Sequence, residues 1–122
     1  MTTHINQDLT YIKIGTLEDF RERMGRVIRL KQKEIVVFRT TDGNLYALDN
    51  RSPHRKGGPL AEGIVSGHFV LDPLYDWKIA LDSGQVQAPD SGLVQTYPLK
   101  VEGESVQMGL SPQQARQLGL AH

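Results

Sequence analysis

The sequence contains no cysteine. Disulfide bridges, thiolate nucleophiles, cysteine-based zinc sites and ordinary iron–sulfur clusters are excluded with it, because each needs a sulfur atom this chain does not supply. Net charge is missing as well. Fourteen Lys and Arg balance 14 Asp and Glu, so no overall field draws the chain to nucleic acid or to an anionic membrane. No apolar run approaches the roughly 18 residues of a membrane-spanning helix. The opening stretch, MTTHINQDLT, is polar and lacks the basic-then-apolar order of a secretory leader. The 12 glycines form neither a G-x-G-x-x-G nor a P-loop arrangement, and the 4 histidines are too scattered to support a Ser/His/Asp constellation. The plain expectation is a soluble cytoplasmic protein of one domain, since 122 residues suffice for a real but small core.

What is present is a series of short strand-like segments. Tyr11-Ile12-Lys13-Ile14 alternates apolar and polar residues, as a half-buried strand does. Thr16 stands three residues before Asp19, which predicts a single capped helical turn. Arg26 to Leu30 and Glu34 to Arg39 read as strands, and Thr41-Asp42-Gly43-Asn44 as the turn to a partner strand, Leu45 to Leu48. The stretch from Asn50 to Gly63 carries two prolines and three glycines and predicts a shaped loop. A hairpin over Ile64 to Leu71 follows, then a second loop, Asp72 to Asp76, then a strand over Trp77 to Leu81 whose alternate residues Trp77, Ile79 and Leu81 are expected in the core. A hairpin over Tyr97 to Met108 closes the pattern, and Ser111-Pro112 predicts the start of a short helix through Leu118. At least six short strands with little helix predict a mostly β fold, a small sandwich or barrel.

The two loops resemble those of the Rieske family. There a Cys-x-His motif and a later Cys-x-x-His motif hold a two-iron cluster, one iron on two thiolates and the other on two imidazoles. Ser52-Pro53-His54 is similar to the first motif and Asp72-Pro73-Leu74-Tyr75 to the second, with 17 residues between them, Arg55 to Leu71. Gly57-Gly58-Pro59-Leu60, Asp76-Trp77-Lys78-Ile79, Asp82-Ser83-Gly84 and Tyr97-Pro98-Leu99-Lys100-Val101-Glu102-Gly103 extend the likeness over about residues 8 to 110. The resemblance implies a Rieske-like (ISP-domain) β fold over residues 9–110, an N-terminal tail over 1–8 and a short C-terminal helix or tail over 111–122. The four degenerate cluster-ligand positions are then Ser52, His54, Asp72 and Tyr75, of which only His54 keeps a ligand. Aligned on the glycines instead, Arg55 takes the histidine place and none survives. In either register a Rieske electron carrier is excluded.

A Rieske-like domain without ligands resembles the small subunit of the assimilatory NAD(P)H-dependent nitrite reductase, which reduces nitrite to ammonium. That resemblance implies a partner, the large subunit carrying FAD, [4Fe–4S] and sirohaem, with no cofactor, metal or catalytic residue on this chain. Arg51, His54, Arg55 and Lys56 concentrate positive charge on one loop and are candidate partner-docking residues; a solvated face would look the same in sequence. Asp72 and Tyr75 are expected to tie the two loops together by hydrogen bonds. Two other readings stay open: a binding or regulatory module of another oxidoreductase, and a mononuclear metal site on His54, His68 and Asp72.

Overall fold

The computed structural model describes residues 8–31 and 33–119. The N-terminal tail expected over 1–8 therefore lies, but for Asp8, outside the described residues. Among the described residues there are ten strands: β1 Thr10–Thr16, β2 Arg26–Leu30, β3 Lys33–Arg39, β4 Leu45–Asp49, β5 Ile64–Ser66, β6 Phe69–Leu71, β7 Lys78–Ala80, β8 Thr96–Tyr97, β9 Leu99–Glu102 and β10 Ser105–Leu110. They form three sheets, in the orders β1-β10-β9, β2-β3-β4-β8 and β5-β6-β7. All the ladders are antiparallel. The fold is mostly β as expected, but the sheets stack in layers and do not close, which decides against the barrel alternative.

The β2-β3-β4-β8 sheet is the middle layer, and β3 shows why. Ile35 and Val37 point into one core with Val106, Met108 and Leu110 of β10, while Val36 and Phe38 point into a second with Val65, Val70 and Ile79. A strand covered on both faces needs apolar side chains at successive positions, and Ile35-Val36-Val37-Phe38 supplies four that are fully buried. In β4 the same division puts Ala47 into the first core and Leu48 into the second. Truncating Ile35 or Ile79 to Ala is expected to cost about 2–5 kcal/mol through lost burial and the cavity left.

Local chemistry sets the ends of these elements. Asp19 accepts the Thr16 backbone N–H at 2.8 Å, closing the short 3-10 turn Leu17–Asp19, and this bond before any other holds its carboxyl below the usual carboxylate range. Ser111 caps the helix α1, Pro112–Gln117, by accepting the Gln114 N–H at 3.1 Å, while Gln114 Oε1 accepts the Ser111 N–H at 2.8 Å. Buried Ala115 and Leu118 seat this helix on the first core, so that apolar side serves the chain itself. Beside this helix, Tyr97 donates its hydroxyl to Asp49 Oδ1 at 2.6 Å, and Lys33 Nζ lies 3.3 Å from the Tyr97 oxygen.

Candidate functional site

The strand register brings the two loops together. Ile64 pairs with Leu71 and Leu71 with Lys78, so the start of β5, the end of β6 and the start of β7 lie side by side. The loop entering β5 and the loop joining β6 to β7 therefore project from one end of the third sheet.

Each loop is closed on itself by backbone bonds. In the first, Ser52 N–H donates to Gly58 O and Gly57 N–H to His54 O, both at 2.9 Å. Gly57 is required here by space: a Cβ at that position would overlap the Ser52 side chain. In the second, Asp72 N–H donates to Trp77 O at 3.0 Å and Asp76 N–H to Asp72 O at 3.2 Å. The turn brings Asp76 into the left-handed region, at φ 56°, a conformation that aspartate tolerates better than most residues.

Asp72 then joins the loops. Its side chain is fully buried, which a carboxylate sustains only with a full set of donors. Oδ1 accepts the backbone N–H of Leu74 at 3.1 Å and of Tyr75 at 2.6 Å. Oδ2 accepts the buried Ser52 hydroxyl at 3.1 Å and the Trp77 N–H at 3.3 Å. Ser52 Oγ in turn accepts the His54 N–H at 3.1 Å, so one chain of hydrogen bonds runs from the first loop into the second.

Above this polar tie lies an aromatic one. The His54 ring stacks on Tyr75, with centroids 4.0 Å apart and planes 18° from parallel, and meets Trp77 edge-on at 4.9 Å. Trp77 packs against the second core with Ile79 and Leu81, as expected, but is only half-buried because its other side meets His54. His54 Nδ1 accepts the Lys56 N–H at 3.0 Å, which in the neutral ring leaves the proton on Nε2. Ser52, His54, Asp72 and Tyr75 thus come together, as the spacing of the two motifs predicts. Arg51, Arg55 and Lys56 stand exposed around them.

His68 does not join this group. It sits at the opposite end of the β5–β6 hairpin, where its Nε2 lies 2.7 Å from Asp42 Oδ2 and its ring meets Tyr46 edge-on. The proposed trio of His54, His68 and Asp72 is therefore not assembled. The hydroxyl of Thr40, first, and then His68 hold the Asp42 carboxyl well below its usual range.

Three features of the site have no counterpart in the sequence reading. A third loop packs on the first: a Cβ on Gly92 would lie 3.2 Å from Pro53. This loop carries Leu93, 71% exposed, while the second loop carries Leu74, 67% exposed. Loop leucines have no periodicity, so sequence alone gave no sign of their exposure.

Over residues 10–109 the chain matches the Rieske-like [2Fe-2S] domain family. It belongs to that family. A curated relative, the ferredoxin component of an alkene monooxygenase system from Xanthobacter autotrophicus, is 26% identical over 110 residues, covering 86% of this chain and 85% of the relative. The large subunit of a nitrite reductase [NAD(P)H] from Klebsiella oxytoca is 31% identical over 100 residues, covering 79% of this chain. The chain spans only 10% of that subunit's length. Among solved structures, one provisionally assigned as an NADH-dependent nitrite reductase small subunit, from Mycobacterium tuberculosis, superposes with a TM-score of 0.75 at 22% identity, covering 84% of this chain and 96% of the other. NirD from E. coli superposes with a TM-score of 0.73 at 20% identity, covering 84% of this chain and 98% of the other. These two likenesses establish the Rieske-like fold.

The residues present do not fit a Rieske cluster. Such a cluster takes two thiolates and two imidazoles. Here the Ser52 hydroxyl is donated to Asp72, both Asp72 oxygens are occupied by protein donors, and the Tyr75 ring lies flat on the one imidazole.

Proposed function

We propose that this chain is a non-catalytic small subunit of a cytoplasmic NAD(P)H-dependent nitrite reductase, serving nitrate assimilation by binding a large subunit that carries FAD, [4Fe–4S] and sirohaem. The observation that carries the reading is the tip itself. The Rieske-like frame is intact, while Ser52, His54, Asp72 and Tyr75, at the degenerate ligand positions, bond to one another in place of metal. A tip ordered in this way can present a surface but has no electron to pass on. The likeness of residues along most of this chain to part of a nitrite reductase large subunit supports the partner, since there the similar stretch lies within the same polypeptide.

Binding would run through the cationic side chains Arg51, Arg55 and Lys56, with His54 held between them by Tyr75. Rim charges of this kind set the encounter rate and orientation of a complex. The body of the chain, residues 9–110, acts as one domain in this reading, and 111–122 is its closing helix and tail. Co-expression with a large-subunit gene of such a reductase tests the proposal. The large subunit should co-purify with this chain and lose nitrite reduction when the chain is deleted; full activity of the large subunit alone overturns it.

A second reading is favoured by the likeness to the alkene monooxygenase ferredoxin component, which extends over most of both chains. In this reading the chain is a cluster-free binding or regulatory module of another oxidoreductase. A neighbouring gene for an oxygenase, with co-purification of its product, would select it.

A further inference from the structure

We propose that the docking surface is built from three loops, not two, and that Leu74 and Leu93 are its binding anchors while the basic residues only steer. The inference rests on the small-subunit reading above and adds to it the contacts and the chemistry of the partner face. That face would be an apolar hollow rimmed by carboxylates.

Two adjoining hollows cover the tip. One is lined by His54, Lys56, Tyr75 and Trp77, the other by Arg51, Leu93 and Val94, and Pro53 and Arg55 line both. They are therefore one continuous surface, crossing from the second loop over the first to the third. Leu74 stands at its edge beside the first loop, where a Cβ on Gly58 would come within 3.8 Å of its Cδ1. Leu74 and Leu93 are the two most exposed large hydrophobic residues among those described, and half-exposed Tyr75 lies on the same surface. A single exposed leucine is ordinary, whereas several gathered on one surface with polar neighbours mark a recognition site.

The charge that lines the two hollows is mostly basic. Arg51, Arg55 and Lys56 line the two hollows, and the acid that does so, Asp49, is already bonded to Tyr97 and lies 3.3 Å from Lys33. Exposed Asp76 lies on the second loop but lines neither hollow. A surface on which exposed apolar side chains and cations stand together is complementary to an apolar hollow with an acidic rim. In such an interface the desolvated apolar side chains set the lifetime of the complex, and the charges set the rate of encounter.

The test separates these roles. Binding kinetics of the full chain on the intact large subunit are measured at several salt concentrations for wild type, Leu74→Ser, Leu93→Ser, and the triple variant Arg51→Glu, Arg55→Glu, Lys56→Glu. Each leucine variant should dissociate about tenfold faster, with an unchanged association rate and salt dependence. The triple charge variant should associate more slowly, and added salt should speed its association where it slows that of wild type, because carboxylates then face the acidic rim. Val101→Ser, on β9 of another sheet and 45% exposed, should behave as wild type. Unfolding curves that match wild type show that the leucine variants are folded. Wild-type binding with undiminished binding of Leu74→Ser and Leu93→Ser overturns the three-loop surface alone. No binding by wild type overturns the small-subunit reading and this inference with it. Light scattering in which wild type is a dimer and the leucine variants are monomers makes the occupant a second copy, and overturns the acidic partner.

Discussion

The Ser52 hydroxyl donates to Asp72 Oδ2 across 3.1 Å, and both side chains are buried. This pair stands at the two positions where the family resemblance expects thiolates, and it closes the same two loops.

Removing Asp72 should therefore open the tip. Asp72→Ala leaves the Ser52 hydroxyl and three backbone N–H groups without their acceptor, and charge-assisted bonds of this kind contribute about 1.5–3 kcal/mol each when buried partners are stranded. The expected loss is about 3 kcal/mol or more in urea unfolding. Ser52→Ala, which removes one donor, should cost about 1 kcal/mol. The double variant should cost less than the sum, since the two share one bond.

Gly57→Ala tests the packing beneath that bond. Gly57 is buried, and an added methyl group would overlap the Ser52 side chain and crowd Asp72 Cγ at 3.2 Å. Overpacking of this kind costs roughly 1–3 kcal/mol. Gly57→Ala should lower the urea midpoint by a corresponding amount without changing the m-value, and a neutral result would mean that the first loop gives way.

Chelation and ligand restoration make a matched pair. A chelator should leave the melting temperature of the wild-type chain unchanged, because protein donors hold the tip. Ser52→Cys, Asp72→Cys and Tyr75→His together, with His54 retained, recreate two thiolates and two imidazoles. After reconstitution with iron and sulfide, that variant should show the visible absorption and reduced-state EPR signal of a [2Fe–2S] centre, and His54→Ala added to it should abolish both. A signal that survives this change but depends on a histidine placed at position 55 would move the register by one residue.

Tyr97 predicts an alkaline limit. Burial first, and then the neighbouring Asp49 carboxylate, push its phenol above the ordinary value of 10.0. The folded state thus holds the proton more tightly than the unfolded one. The resulting stability is fully present below pH 10 and is lost as the pH rises from there toward the folded value. Urea unfolding of wild type should weaken across that range, and Tyr97→Phe should flatten the slope.

Asp42 acts at the acid end, with the opposite sign. Its folded pKa lies below the ordinary 3.8, so its contribution is present above that pH and disappears as the pH falls through the folded value. Asp42→Asn should melt below wild type at pH 6, with the difference closing in strongly acidic buffer. A gap that persists there would mean that Asp42 acts by something other than its charge.

Much of the frame was legible because it is written locally. The Thr16–Asp19 turn, the Ser111-Pro112 helix start, the four-residue turn before Leu45 and the hairpins around Ser66-Gly67 and Gly103 all depend on residues a few positions apart. The assembly of Ser52, His54, Asp72 and Tyr75 was legible from the two motifs and their spacing. What did not show was anything set by contact between distant segments. Ile35-Val36-Val37-Phe38 reads as a strand, and its unbroken apolar run signals cover on both faces, but whether the sheets close into a barrel depends on pairing between distant segments. Nothing near Lys33, Asp49 or Tyr97 announces that the three meet. Gly92 and Leu93 sit in a stretch without pattern, and only the closed fold brings them against Pro53.

Asp72 also has a consequence for when the protein is finished. A Rieske tip closed by metal must wait for iron and sulfide to be delivered before its loops are fixed. Here the same two loops are joined by donors and acceptors that the chain itself supplies, so folding alone brings them to their final shape.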